Sequence, residues 1–125
     1  MIFGIGHDIV ENQRIRELLD KYGENFARRI LTTAELALYH RRSDQVKFIA
    51  KRFAAKEAFA KACGTGLREP VLLSAISIVN DELGKPLLIF ARTLEIWLKN
   101  RGITKWHLSL SDERQLSSAM VVLES

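Results

Sequence analysis

The chain is poor in the residues that mark several protein classes. It holds one cysteine, Cys63, so no internal disulfide can form. A lone thiol fits a reducing compartment better than a secreted scaffold, and a cytoplasmic protein is the expectation. Beside Gly64 it reads as a small packing residue rather than a nucleophile. No apolar run approaches the ~20 residues that a membrane-spanning helix needs. The N-terminal stretch Met1 to Asp8 lacks the basic start and small-residue cleavage site of a signal peptide and reads as a strand. There is no internal repeat, low-complexity segment or linker. Only 8% of residues are aromatic, and none interleave with cations as a nucleic-acid surface requires.

What is present is apolar and basic. Apolar residues make up 47% of 125 residues, enough for a core and against disorder. This length predicts one domain over residues 1–125. The net charge is +4, and it is uneven: residues 1–61 carry twelve Lys/Arg against eight Asp/Glu, residues 62–125 seven of each. That asymmetry points to an acidic partner or ligand at the first half.

Periodicity changes along the chain. Ile2 to Val10 is strand-like, with Gly4 and Gly6 allowing close backbone approach. Glu11 to Tyr22 places Ile15, Leu18, Leu19 and Tyr22 at helical spacing. Thr32-Thr33-Ala34-Glu35 matches a capping box and opens a short helix to about Arg41. Gln45 to Cys63 is a long central helix stopped by Gly64. Beyond it, Leu72 to Val79 and Leu87 to Phe90 read as strands joined through Asn80-Asp81-Glu82-Leu83-Gly84-Lys85-Pro86. Thr93 to Asn100 is a short helix. Trp106 to Leu110 and Ala119 to Leu123 are strands around a polar turn. Hairpin pairing predicts an α+β fold, a mainly antiparallel sheet packed on the central helix.

The central helix holds the most informative residues. Glu57 and Lys61 lie one turn apart on one face, and Arg52 and Lys56 repeat that spacing. Phe48, Ile49, Phe53 and Phe59 bury much of the helix, so its charges need partners or a metal. Glu57 and Asp8 are candidate ligands for Mg²⁺, a hard cation that takes few carboxylates and keeps waters. Asp8 reads equally as a cap on the next helix. Lys61 reads as a phosphate contact or as an ion-pair partner of Glu57, Arg52 and Lys56 as a solvated basic stripe. Gly64-Thr65-Gly66 lacks the full P-loop pattern and opens no helix, so it is a weak phosphate cradle and an adequate helix stop. His107, Ser109 and Ser111 share one strand face. They make no nucleophile elbow, which argues against a Ser-His-Asp triad.

Taken together, Gly4-Ile5-Gly6-His7-Asp8-Ile9-Val10-Glu11, Lys51 to Ala58, Lys61, Gly64-Thr65-Gly66, Asn80 to Pro86 and His107 to Glu113 resemble the holo-[acyl-carrier-protein] synthases. These are the small bacterial type of 4′-phosphopantetheinyl transferase. The resemblance runs over nearly the whole chain, in order. It implies transfer of 4′-phosphopantetheine from coenzyme A to a serine of apo-acyl carrier protein, leaving adenosine 3′,5′-bisphosphate. It implies that Asp8 and Glu57 bind Mg²⁺, and that Glu57, directly or through a water on the metal, deprotonates the serine. Lys61 would neutralise or protonate the leaving phosphate. Arg52, Gly64, Gly66, Lys85, Pro86, His107 and Ser109 are implied coenzyme A contacts. It also implies a homotrimer with sites between subunits. Larger relatives carry a further carboxylate where this chain has Val10, and threonine is common where it has His7. The acidic carrier protein suits the basic first half, with Arg14, Lys21 and Arg28 as candidate contacts. The competing readings are a Mg²⁺-dependent nucleotide pyrophosphatase and a basic binding module.

Overall fold

The computed structural model covers residues 1–125 and has the α+β architecture expected. Strand β1 (Ile2–Glu11) leads into helices α1 (Asn12–Tyr22), α2 (Glu24–Ile30), α3 (Thr33–Tyr39) and α4 (Gln45–Cys63). Then follow β2 (Ile76–Asn80), β3 (Pro86–Phe90), α5 (Arg92–Asn100), β4 (Lys105–Asp112) and β5 (Leu116–Glu124). The strands form two antiparallel sheets, a three-stranded one in the order β1-β5-β4 and the β2-β3 hairpin. Phe90 of β3 meets Trp106 of β4 edge-on at 5.0 Å and Phe59 of α4 at 4.9 Å, which joins the hairpin to the helix and the larger sheet.

The hydrophobic pattern explains how α4 becomes the centre. Ile49, Ala54, Ala55, Ala58 and Phe59 are fully buried. Its apolar residues surround the whole helix, as expected of a helix covered on several sides. Asp44 caps its start by accepting from Lys47 N at 3.1 Å, and Gly64 ends it in the left-handed conformation at φ 79°. One side of α4 carries alanines so that β1 can lie on it. A Cβ on Gly4 or Gly6 would strike the carbonyl oxygen of Ala62 or Ala58. That contact fixes where the end of β1 arrives.

Two expectations are corrected. The apolar stretch from Leu72 is not strand at its start: Leu73–Ala75 forms a 3-10 turn, and β2 begins at Ile76. The turn presents the Leu73 carbonyl to Lys56 at 3.1 Å. The segment after α1, read from sequence only as the turn that follows the first helix, is the helix α2. Its two arginines in the last turn and Glu24 in the first complement the helix dipole.

Candidate functional site

Alternate residues of β1 face α4. Beyond Gly4 and Gly6 the next inward residue is Asp8, which reaches Lys61: Nζ donates to Asp8 Oδ1 at 3.0 Å and to the His7 carbonyl at 3.0 Å. Lys61 therefore pairs with Asp8 and not with Glu57, its neighbour one turn back. Asp8 does not cap α1, whose N-cap is Glu11 with no side-chain hydrogen bond. Glu57 lies near enough to feel both groups. Burial raises its pKa above the usual carboxylate range; the Asp8 charge adds to this and Lys61 partly offsets it.

Two converging carboxylates with a cation lodged against one of them make an acidic, half-open site. Its donor set suits a hard divalent cation that completes its shell with water and phosphate oxygens. The Lys61 ammonium already marks a cation position on Asp8 Oδ1. No third His, Cys, Asp or Glu joins the pair. Val10, where larger relatives carry a carboxylate, is buried in the core.

Arg52 and Lys56 are not a solvated stripe. Lys56 is wholly buried and donates to Glu35 Oε1 at 2.6 Å, Ile30 O at 2.6 Å and Leu73 O at 3.1 Å. Glu35, also wholly buried, accepts further bonds from Thr32 N and Ile78 N, both at 2.9 Å. Arg52 sits 3.7 Å from Glu35, with its guanidinium 3.6 Å above the Phe48 ring. Its Nε has no hydrogen-bond partner. Burial pulls Arg52 down to about 10, with Glu35 opposing and Arg42 adding to the shift, so it stays charged at neutral pH. Sequence spacing alone could not tell this buried cluster from the open one. Arg52, implied as a coenzyme A contact, has its guanidinium turned into the core of this chain, against Glu35 and Phe48. Cys63 is likewise inert, its thiol pushed up to about 12 by burial.

The remaining candidates fall in two places. Gly64 and Gly66 both adopt positive φ, 79° and 67°, just past Lys61 at the end of α4, with open space where a Cβ would stand. Lys85, Pro86 and His107 line one cleft of about 450 Å³ between β3 and β4, together with Trp106. His107 Nε2 also contacts Glu124 Oε2 at 2.6 Å. Pairing register puts Ser109 opposite Met120, and Met120 opposite His7. His107 and Ser109 therefore lie on the sheet face that points away from α4, opposite to Asp8. The structure brings Asp8, Glu57 and Lys61 together, and separately Lys85, Pro86 and His107.

Arg14 and Lys21 lie seven residues apart on α1, on the face that also carries Leu18. Arg28, on α2, is paired with Glu24 at 3.0 Å. Between α1 and α2 opens a cleft of about 500 Å³ lined by Leu18, Tyr22, Phe26, Ile30 and Arg29. Without α2 the sequence could not show it, although Tyr22 and Phe26 at four-residue spacing were a signal.

A family model described as the 4′-phosphopantetheinyl transferase superfamily matches residues 4–120. A holo-[acyl-carrier-protein] synthase of Nitrosospira multiformis is 55% identical over 124 residues, covering 99% of each chain. The crystal structure of holo-[acyl-carrier-protein] synthase from Neisseria meningitidis superposes with a TM-score of 0.98 at 49% identity, over 100% of both chains. A holo-(acyl-carrier-protein) synthase from Bacillus anthracis in complex with CoA (3′,5′-ADP) does so with a TM-score of 0.84 at 42% identity, over 100% of this chain and 98% of that one. The chain belongs to the 4′-phosphopantetheinyl transferase superfamily and, within it, to the holo-[acyl-carrier-protein] synthases.

Proposed function

We propose that this chain, acting as one domain over residues 1–125, transfers 4′-phosphopantetheine from coenzyme A to a serine of apo-acyl carrier protein in a Mg²⁺-dependent reaction. The observation that carries the proposal is the meeting of Asp8, Glu57 and Lys61 at the β1–α4 crossing of a chain in this family. The serine oxygen forms a new bond to phosphorus, and the pyrophosphate bond of coenzyme A breaks. Adenosine 3′,5′-bisphosphate leaves.

Such a transfer asks for positioning and charge neutralisation more than for a covalent nucleophile. Asp8 and Glu57 would hold Mg²⁺, which supplies charge neutralisation on the pyrophosphate. Glu57 would take the serine proton. Lys61 balances the charge that develops on the leaving phosphate. Gly64 and Gly66 offer open backbone to the cofactor. Lys85, Pro86, His107 and Ser109 complete its binding from a second surface.

His107 and Ser109 lie on the sheet face opposite to Asp8, and Lys85 and Pro86 come from the separate β2-β3 hairpin, so a single chain does not close around the cofactor. The outer sheet face also leaves Ile5, Ile9 and Met120 half or more exposed. A contiguous apolar face of this kind marks an association surface. A homotrimer with sites between subunits accounts for both features. The carrier protein docks on α1 and α2, the helices that carry Arg14, Lys21 and Arg28 and enclose the apolar cleft. No helix is long and apolar enough to cross a membrane, and a cytoplasmic location is part of this proposal. The test is mass spectrometry of apo-carrier protein incubated with the enzyme, coenzyme A and Mg²⁺. The expected result is a carrier protein heavier by one phosphopantetheine, with adenosine 3′,5′-bisphosphate released. Cleaved coenzyme A beside an unmodified carrier protein would instead establish the pyrophosphatase.

A further inference from the structure

Lys61 makes contacts that a phosphate-binding lysine has no need to make. Its side chain is 54% exposed, yet the ammonium is turned onto Asp8 Oδ1 and the His7 carbonyl. Both acceptors are oxygens, as a hard cation prefers. β1 is an edge strand, so the His7 carbonyl has no neighbouring strand on that side. Asp8 is much the less exposed partner, at 18%, and its charge also acts on Glu57. A singly charged side chain thus occupies Asp8 Oδ1, the oxygen that a divalent ion would take on the proposed reading.

We propose that Lys61 is a placeholder cation: its ammonium fills the cation position on Asp8 in the empty enzyme, and entry of a divalent ion displaces it toward the phosphate-bearing ligand. The inference rests on the reading of Asp8 and Glu57 as metal ligands. A divalent charge beside a fixed ammonium is repelled, so the two compete for the negative charge of Asp8. The lysine stem is rooted on α4 and flexible, so the head swings out without disturbing the helix. One residue then acts in sequence, first on Asp8 and afterwards on the ligand. Lys61 counts as a positioning residue in the first of these states. It keeps two carboxylates compatible while the site is empty, and it makes metal and lysine compete.

The experiment measures Mn²⁺ binding to the full chain by titration calorimetry, with no coenzyme A or carrier protein present. Lys61→Met should bind Mn²⁺ about three- to tenfold more tightly than the unaltered chain, the range expected for removing one partly screened charge. That gap should narrow as salt is raised. Lys61→Arg, which keeps the charge, should return the affinity to that of the unaltered chain, and Lys61→Gln should repeat the tightening if the methionine variant folds poorly. Equal or weaker binding by the neutral variants overturns the placeholder, as does undetectable binding in all of them. Asp8→Asn and Glu57→Gln separate the two levels. If both bind Mn²⁺ as the unaltered chain does, the metal-site reading itself fails. If both lose it while Lys61→Met gains nothing, only the placeholder fails.

Discussion

Helix α4 carries two clusters of carboxylate and cation that resemble one another in sequence and differ in every physical respect. Around Lys56 the cluster is closed. Glu35 and Lys56 have no exposed surface, and each is tied by backbone as well as by the other. Around Lys61 the cluster is open, with a half-exposed ammonium and a carboxylate, Glu57, that burial and Asp8 push toward protonation. A buried, fully bonded pair holds elements in register and leaves no valence for a ligand. A half-open pair leaves charge to be answered from outside. The comparison teaches that the pairing partner and its exposure, not the four-residue spacing, decide which charges stay open to a ligand.

The largest expected effect attacks the closed cluster. Lys56→Met leaves the Glu35 carboxylate and the carbonyls of Ile30 and Leu73 short of a donor inside the core. Breaking a buried pair in this way costs about 3–5 kcal/mol. Chemical denaturation should read a loss of that size, and a change under about 1 kcal/mol would show that the pair adds little beyond packing.

The next breaks the open cluster. Asp8→Ala and Glu57→Ala should each lower turnover by roughly a hundredfold or more, as loss of a key electrostatic group does. Near-native turnover at saturating Mg²⁺ would remove that residue from the ligand set.

A smaller effect should come from charges that belong to neither cluster. Reversing Arg14 and Lys21 to Glu should raise the KM for carrier protein by about three- to tenfold and flatten its salt dependence, since exposed charges steer encounter more than they hold a complex. The KM for coenzyme A should stay put. Equal losses for both substrates would move these residues to folding or assembly.

The smallest effect comes from a surface pair. Glu24 is held below the usual carboxylate range, first by its hydrogen bond from His40, with the charges of His40 and Arg28 adding to it. A carboxylate whose folded pKa is depressed contributes stability above its unfolded pKa and loses it as pH falls through the folded one. The slope of stability against pH below 4.5 should therefore flatten slightly in His40→Ala. An unchanged slope would mean that the pair contributes nothing measurable.

The elements were largely legible, and so were the close approaches. Gly4 and Gly6 predicted a strand pressed against backbone, and Gly64 predicted the end of α4, because each demand is local. The capping box at Thr32 was equally plain. What it could not disclose is that Glu35 also neutralises Lys56 and accepts from Ile78, partners 21 and 43 residues away. Helix α2 was missed because seven residues with two adjacent arginines show no clear period. The open site was half legible: Asp8, Glu57 and Lys61 stand out in the sequence, but spacing offers Lys61 a phosphate or Glu57 as partner, whereas the strand laid over α4 delivers Asp8. The separation of His107 and Ser109 from Asp8 follows from strand register, which no single strand's sequence contains.

The most direct test of the contrast measures stability and turnover on the same two proteins, Glu35→Gln and Glu57→Gln. Each removes one carboxylate charge from its cluster. Glu35→Gln should lose about 3 kcal/mol or more in denaturant unfolding, while its folded fraction keeps near-native specific activity. Glu57→Gln should unfold within about 1 kcal/mol of the unaltered chain and lose most of its transfer of phosphopantetheine to apo-carrier protein. If Glu57→Gln is destabilised as much as Glu35→Gln, or if Glu35→Gln stays stable but inactive, the division of α4 into a structural and a chemical cluster is wrong.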